Sequence, residues 1–346
     1  MAQGPERKRT PPRPRVTMRD VARRAGVSQP LVSLVIAGSP TVRVAEATRA
    51  RILAAARELG YRPNVVAQAL VRRRSYSVGV IVPDLRNPFF TDVVSGVERV
   101  AAGQGYAVLL CDAAEVTVER HLDALRARQI DGVIIDAIGA ASVSADLLAD
   151  LNVVLIDEPS AAFPGVASDA AGAGRLAAEH LLKLGHRRIG YLGPASDTWA
   201  FRMRERGVVQ ALRDAGVPIR PDDLRRAAPT PDGGRGAAKA LLARADRPTA
   251  IVCANDLMAL GALKACAIAG IAVPGDLSVV GCDDIETARL VTPELTTVHV
   301  PARGLGARAA RMLLQVLEGT PARAAKPLEV RLAVRGTTAP PPGGAG

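Results

Sequence analysis

Aromatic side chains are scarce in this sequence: one Trp, four Tyr and four Phe make up 3% of its 346 residues. Sugar faces usually stack on aromatic rings, so the scarcity weighs against a sugar-binding cleft. The four cysteines, Cys111, Cys253, Cys266 and Cys282, are too far apart for CxxC and too few for a disulfide framework, and they read as buried thiols. The histidines His121, His180, His186 and His299 lack ligand spacing, so neither a metal nor another cofactor is expected. No apolar run approaches the roughly 18 to 20 residues that span a bilayer, and the N-terminus lacks the charged, apolar, small-residue order of a signal peptide. A cytoplasmic protein is expected.

Catalytic motifs are missing as well. No G-x-S-x-G, H-E-x-x-H or G-x-x-x-x-G-K-[ST] occurs. The stretch Gly172-Ala173-Gly174-Arg175-Leu176-Ala177 matches GxGxxA, and Asp197 follows at about the distance of a dinucleotide fingerprint. That fingerprint needs a buried strand directly before its first glycine, and Val166 to Asp169 is too short to supply one. The small residues read instead as a helix packed on a sheet. The chain is not expected to be an enzyme.

What is present is positive charge in one place. The formal net charge is +11, but residues 1 to 75 hold 16 basic and 4 acidic side chains, so the remaining 271 residues are close to neutral. A basic block joined to a neutral body reads as an anchor for a polyanion, nucleic acid or an anionic membrane. Of the basic residues 40 are Arg, a skew that biased coding also produces and that carries little weight. Hydrophobic residues at 48% and charged residues at 23% are ordinary for a globular chain, and the length predicts about two domains.

Residues 1 to 15 combine Pro with Arg and predict a disordered basic arm, and residues 337 to 346 (TTAPPPGGAG) predict a disordered tail. Between them, residues 16 to 62 show three short helical pieces. Thr17 with Asp20 forms a capping box for the first, which ends at Gly26. Ser28 can cap the second, carrying Leu31, Val32, Val35 and Ile36. The third runs from about Ala45 to Leu59, with Gly60 just past its end. Two helices separated only by Ala25-Gly26-Val27 make a helix-turn-helix. Residues 63 to 75 read as a hinge helix and linker. From 76 to 336 strand-like runs at Ser77 to Val82, Ala107 to Cys111, Gly132 to Ile135, Val153 to Ile156, Arg188 to Leu192, Ala250 to Cys253 and Leu277 to Gly281 alternate with helical segments. That alternation predicts two doubly wound parallel-sheet lobes with a ligand cleft at the carboxyl ends of the strands. Asp84, Asp112, Asp136, Asp157, Asp256 and Asp283 lie at those ends.

The segment T-M-R-D-V-A-R-R-A-G-V-S from Thr17 to Ser28, V-S at Val32 and Ser33, T-R at Thr48 and Arg49, and A-A-R-E-L-G-Y-R-P-N-V-V-A-Q-A-L from Ala55 to Leu70 resemble the headpiece of the lactose-repressor (LacI/GalR) family of bacterial transcription regulators. The resemblance continues through V-P-D-L-R-N-P-F-F at Val82 to Phe90, G-H-R-R-I-G-Y-L-G at Gly185 to Gly193, A-N-D-L-M-A-L-G-A at Ala254 to Ala262 and V-P-G-D-L-S-V-V-G-C-D-D-I at Val273 to Ile285. It covers nearly the whole chain from Thr17 to Gly336.

The resemblance implies an all-α helix-turn-helix headpiece with a hinge helix, joined to a periplasmic-binding-protein-like α/β body. It implies a dimer or tetramer that binds double-stranded operator DNA, usually as a repressor, and responds to a sugar or other polar metabolite bound between the lobes. It assigns DNA contacts to Thr17, Met18, Ser28, Gln29, Pro30, Ser33, Leu34, Thr48, Tyr61, Asn64, Ala67, Gln68 and Leu70. The second helix enters a major groove and Thr17 with neighbouring arginines holds phosphates. Gln29 can make a bidentate contact to adenine. Pro63 starts the hinge helix and Leu70 is its minor-groove wedge; the alternative is a helix whose Val66, Ala69 and Leu70 face a protein core, against which Arg72, Arg73 and Arg74 speak. Two departures stand out. Leu34 and Ala37 replace a common Arg and Asn, and the loop from Gly38 to Val44 is about two residues longer than usual, so the operator cannot be copied from relatives.

Effector contacts are assigned by the same resemblance to Asp84, Phe89, Phe90, Asp157, Arg204, Asn255 and Asp283. Carboxylates, an amide and a guanidinium converging on a cleft suit a polyhydroxylated ligand, although Asp and Asn also serve as helix caps and strand-end acceptors. Trp199, in an expected loop, is either a stacking platform or a packing residue, and no aromatic lies between Leu212 and Leu242, where some relatives supply one. The alternative reading is a solute-binding protein with the same two lobes. The basic headpiece and the missing signal peptide argue against it.

Overall fold

The computed structural model describes residues 16–36, 43–62, 74–136, 144–320 and 326–342. The expected basic arm, the loop residues 37–42 and the hinge residues 63–73, with Asn64, Ala67, Gln68 and Leu70, lie outside them. The chain divides into two units, one through Ser75 and one from Tyr76.

The first unit holds α1 (Met18–Ala25), α2 (Gln29–Ile36) and α3 (Glu46–Glu58). The Thr17 hydroxyl accepts the Asp20 N–H at 3.3 Å, and the Asp20 carboxylate accepts the Thr17 N–H at 3.0 Å, so two donors that a helix start leaves unmatched are satisfied reciprocally. Gly26 ends α1 with φ +66°, a left-handed conformation that turns the chain into α2 within two residues. Val21, Ala22, Ala25, Val32, Val35, Ile52 and Ala55, drawn from all three helices, form its small core. Arg51 Nε donates to the Ala25 carbonyl at 2.9 Å and Arg24 pairs with Glu58 at 2.8 Å, tying α3 to α1.

The second unit holds two sheets. The first has β1 (Ser77–Val82), β2 (Ala107–Asp112), β3 (Gly132–Asp136), β4 (Val153–Ile156) and β5 (Gly165–Val166) in the order β2-β1-β3-β4-β5, all parallel. The second has β6 (Ile189–Pro194), β7 (Leu224–Ala227), β8 (Ala250–Cys253), β9 (Ser278–Asp283), β10 (Thr296–His299) and β11 (Arg331–Ala333) in the order β11-β10-β9-β8-β6-β7. Only β11 runs antiparallel to its neighbour. The seven strands expected from apolar runs are present; β5, β7, β10 and β11 are additional. β5 is two residues long, and Leu-Arg-Arg-Ala in β7 and Arg-Leu-Ala in β11 have no apolar run to mark them.

The helices of this unit are α4 (Pro88–Gly103), α5 (Val118–Ala127), α6 (Ala145–Leu148), α7 (Ala170–Lys183), α8 (Trp199–Asp214), α9 (Pro231–Leu242), α10 (Asp256–Ala269) and α11 (Ala302–Leu317). The lobes are interleaved: α11 follows β10 of the second sheet yet packs on α4 and over β3, β4 and β5, and β11 then returns to the second sheet. Three helix pairs share one device. Gly96 of α4 meets the Arg303 backbone while Gly306 of α11 meets that of Val93; Gly174 and Gly207 do the same for α7 and α8, as do Gly234 and Gly261 for α9 and α10. A Cβ at any of the six would collide with a facing carbonyl, so the missing side chains let the helix backbones touch. Helix α7 packs on the second sheet, as expected from its small residues, and Gly174 in addition lets it touch α8, while Gly172 sits against the Asp169 side chain that caps the helix.

Three expectations change. The segment from Thr337 is not a free tail. Thr337 is fully buried, its Oγ1 donates to the Val279 carbonyl at 2.6 Å and accepts the Thr296 N–H at 2.9 Å, and the Ala339 N–H reaches Ser278 Oγ at 3.0 Å. The two threonines and the extended backbone before Pro340 supply partners that strand ends need; residues 343–346 lie outside the described ones. Cys253, Cys266 and Cys282 are buried free thiols, but Cys111, on the edge strand β2, is only half-buried. Trp199 opens α8 rather than lying in a loop.

Candidate functional site

In the first unit, α2 turns Val32 and Val35 into the small core and leaves Ser28, Gln29, Pro30 and Leu34 exposed and Ser33 half-buried. No residue of α2 is charged, so whatever it recognises is met by hydroxyls, one amide and apolar surface. The charge of this unit lies off α2, where Arg19 and Arg43 are exposed and Arg49 is half-buried. Met18, Thr48 and Tyr61 are half-buried. Thr17 is exposed, but its hydroxyl already donates to Asp20 Oδ2 at 2.7 Å, so the group expected to hold phosphate is shared with the helix cap.

In the second unit, the seven side chains Asp84, Phe89, Phe90, Asp157, Arg204, Asn255 and Asp283 line one cavity of about 390 Å³. Each is placed by a local device. Asp84, just past β1, takes the Arg86 guanidinium in a two-point contact at 2.9 and 3.0 Å, which holds its carboxyl below the usual range. Asn87 caps α4 by accepting the Phe89 N–H at 3.1 Å, which sets Phe89 and Phe90 edge to face with centroids 5.3 Å apart. Asp157, just past β4 with φ +50°, accepts the Ser168 N–H at 2.7 Å. Asn255 caps α10 by accepting the Met258 N–H at 2.9 Å and donates to the Pro229 carbonyl at 3.1 Å, so it serves a helix end and lines the cavity as well.

Arg204, from α8, is buried. Its Nη1 donates to the Ala254 carbonyl at 2.8 Å and stands 3.0 Å from Asp283 Oδ1, a charge contact too poorly angled to count as a hydrogen bond. Its Cζ lies 5.5 Å from the centre of the Phe201 ring. Asp283 ends β9 with φ +127°, and Asp284 follows with φ +58°. Non-glycine residues resist such angles unless neighbours hold them. Here Asp256 accepts the Ile285 N–H at 2.9 Å, and Asp284 is pinned by Arg335, by Arg289 at 3.4 Å and by His299 at 3.1 Å.

Too many carboxylates are buried here for one guanidinium. Burial pushes Asp283 up to about 7 against the pull of Arg204, and Asp256 up to about 6. Burial also raises Asp157, and it raises Asp136 well above the usual range with help from Asp157 and Asp283. Neither oxygen of Asp136, at the end of β3, has a hydrogen-bond partner among the described residues; the same holds for Arg204 Nε and for the Thr198 hydroxyl on the cavity wall. The site therefore keeps donors and acceptors unused.

Asn87, Phe201, Thr198, Asp256, Asp284 and Arg335 were not expected as site or supporting residues; of these Asp256 carried a signal in its place at a strand end, and Asn87 and Asp284 in lying within the family motifs, whereas Thr198, Phe201 and Arg335 carried none. Three of the four phenylalanines line the cavity, so scarcity over the chain is concentration at the site. Trp199 does not line it; it borders a separate cavity with Glu158 and Phe163. Among the described residues no cluster of His, Cys, Asp and Glu could hold a metal, and no helix is long and apolar enough to cross a membrane.

Comparison with known proteins places both units. Residues 17–64 match the model of bacterial regulatory proteins of the lacI family, and residues 178–338 match a periplasmic binding protein-like domain. The chain is 35% identical over 308 residues to the HTH-type transcriptional repressor PurR of Mannheimia succiniciproducens, covering 86% of this chain and 91% of that protein. Among solved structures, a lac repressor dimer bound to operator and the anti-inducer ONPF is similar with a TM-score of 0.85 at 31% identity, over 94% of this chain and all of that one. A complex of the transcriptional regulator CelR with cellobiose is similar with a TM-score of 0.71 at 32% identity, over 93% of this chain and all of that one. These relatives are regulators rather than enzymes. The chain belongs to the lacI family of bacterial regulatory proteins, transcription repressors that join a DNA-binding helix-turn-helix to an effector-binding body.

Proposed function

We propose that α2 reads the two halves of a near-palindromic operator, one from each subunit of a homodimer, and that the 390 Å³ cavity binds the effector that controls this binding. Ser28, Gln29, Pro30, Ser33 and Leu34 face the bases; Thr17, Met18, Thr48 and Tyr61 sit by the backbone; Asn64, Ala67, Gln68 and Leu70 act from the hinge. The regulator works in the cytoplasm, at the nucleoid. The effector is a polar, hydroxyl-bearing metabolite. Asp84, Asp157, Arg204, Asn255 and Asp283 take its hydroxyl groups, and Phe89 and Phe90 take an apolar ring face. A cavity of this volume is within the usual range for small-ligand sites, and the cellobiose complex of a structural relative supports a sugar. The observation that carries the reading is the convergence of these seven side chains on one cavity with the Thr198 hydroxyl and Arg204 Nε left unmatched.

The ligand acts by its differential affinity for the two arrangements of the body, which sets an upper limit on its effect on DNA binding. The test is a thermal-shift screen of sugars, polyols and nucleobases, followed by operator titrations with each hit. A cognate ligand at a hundred times its Kd adds about 2.7 kcal/mol to stability. Asp283→Ala should abolish the response of operator binding to that ligand while sparing operator binding itself. An unchanged dose response in the variant refutes the cavity as the effector site.

A further inference from the structure

Leu34 contributes little to the fold around it. It is 42% exposed, whereas Val32 and Val35 on the same helix are buried in the small core. Pro30 lies one turn before it on the same face and Ser33 is its half-buried neighbour, so this apolar surface adjoins the polar side chains that α2 presents. With no charged residue on α2, that face consists of the Ser28 and Ser33 hydroxyls, the Gln29 amide, and the hydrocarbon of Pro30 and Leu34.

A leucine can neither donate nor accept a hydrogen bond. Pressed against O6 and N7 of guanine, N4 of cytosine or N6 and N7 of adenine, it would strip water from a polar base edge and return nothing. The major groove offers one apolar group, the C5 methyl of thymine. We propose that Leu34 determines operator specificity by packing on the C5 methyl of one thymine in each half-site. The inference rests on the reading of α2 as the helix that enters the major groove. Burying a single methyl group is worth about a fourfold change in affinity for one half-site, and about fifteenfold when both halves of a palindrome carry it.

The experiment selects operators from a random DNA library with the full-length protein, then replaces each symmetric pair of thymines in the selected site by deoxyuridine, which removes only the methyl. The expected result is one thymine pair whose replacement lowers affinity about fifteenfold for the unaltered protein and leaves the affinity of the L34A protein unchanged. A deoxyuridine penalty of equal size in both proteins, or no penalty at any pair, overturns the assignment. A Leu34→Gln protein, whose amide can pair with adenine, should lose the preference for thymine at that same pair when the selection is repeated; keeping it also overturns the assignment. Selection that returns no preferred sequence for the unaltered protein overturns the reading of α2 itself, an outcome distinct from a selected site that is indifferent to thymine methyls.

Discussion

Replacing Asp283 by Asn should make the protein more stable at alkaline pH while removing its response to effector. Burial holds the Asp283 carboxyl at about 7, against 3.8 for an ordinary aspartate, even with Arg204 3.0 Å away. The folded state therefore keeps a proton that the unfolded chain releases, and folding takes one up between about pH 4 and 7. Stability falls as pH rises through that window and levels off above it. At pH 8 the ionised group costs the fold on the order of 4 kcal/mol, the free energy equivalent of that displacement. An asparagine has the same shape and no charge to desolvate. Most of the cost should disappear in the variant, less what the amide loses beside Arg204. The assay is the thermal midpoint of both proteins from pH 4 to 8.5: midpoints closest together at pH 4, separating steadily as the pH rises to 7 and reaching on the order of 10 °C in favour of Asp283→Asn at pH 8.5. A variant less stable than the parent at pH 8.5, or a difference that does not vary with pH, would refute the claim that this carboxylate is held against its own solvation.

Other perturbations test the frame around the site. Gly174→Val places a branched side chain against the Arg204 carbonyl and should destabilise the body by about 3 kcal/mol or more, read as a lowered denaturation midpoint; Gly103→Val, where a Cβ meets nothing, should cost far less. Deleting residues 337–346 removes partners from the Val279 and Thr296 N–H groups and from Ser278, and should cost about 2 to 4 kcal/mol by the same measurement, whereas a free tail would be removed without effect. Operator affinity should fall with salt at a log-log slope of about −0.9 per neutralised phosphate, and a flat response measured by fluorescence anisotropy would count against the basic headpiece as a DNA anchor.

The three headpiece helices were legible because their signals are short-range. The capping box runs only from Thr17 to Asp20, and Gly26 and Gly60 lie where the backbone needs positive φ. The strands with continuous apolar runs were equally plain, since parallel strands such as β3 and β4 are covered on both faces. β7 and β11 were not, because their sequences alternate poorly and their place in a sheet comes from neighbours far along the chain. Residue type and family motif picked out the seven cleft side chains. What holds Asp283 in place could not be found that way: the Ile285 N–H is taken by Asp256, 29 residues away, and Asp284 is held by Arg335, 51 residues away.

By itself the sequence determined that a basic helix-turn-helix is joined to an electrically neutral α/β body, and which residue types are available for recognition. Periodicity, caps and charge density are properties of neighbouring residues, so they survive without knowledge of the fold. Tertiary structure alone decided that the chain crosses back through both lobes, that the apparent tail closes the second sheet, and that three of four phenylalanines gather where the buried acids meet Arg204. These depend on contacts between segments tens to more than a hundred residues apart. The solvent exposure of Leu34 belongs with them: the sequence shows a leucine, and only the packing of α2 against α1 and α3 shows which of its apolar residues are left outside the core.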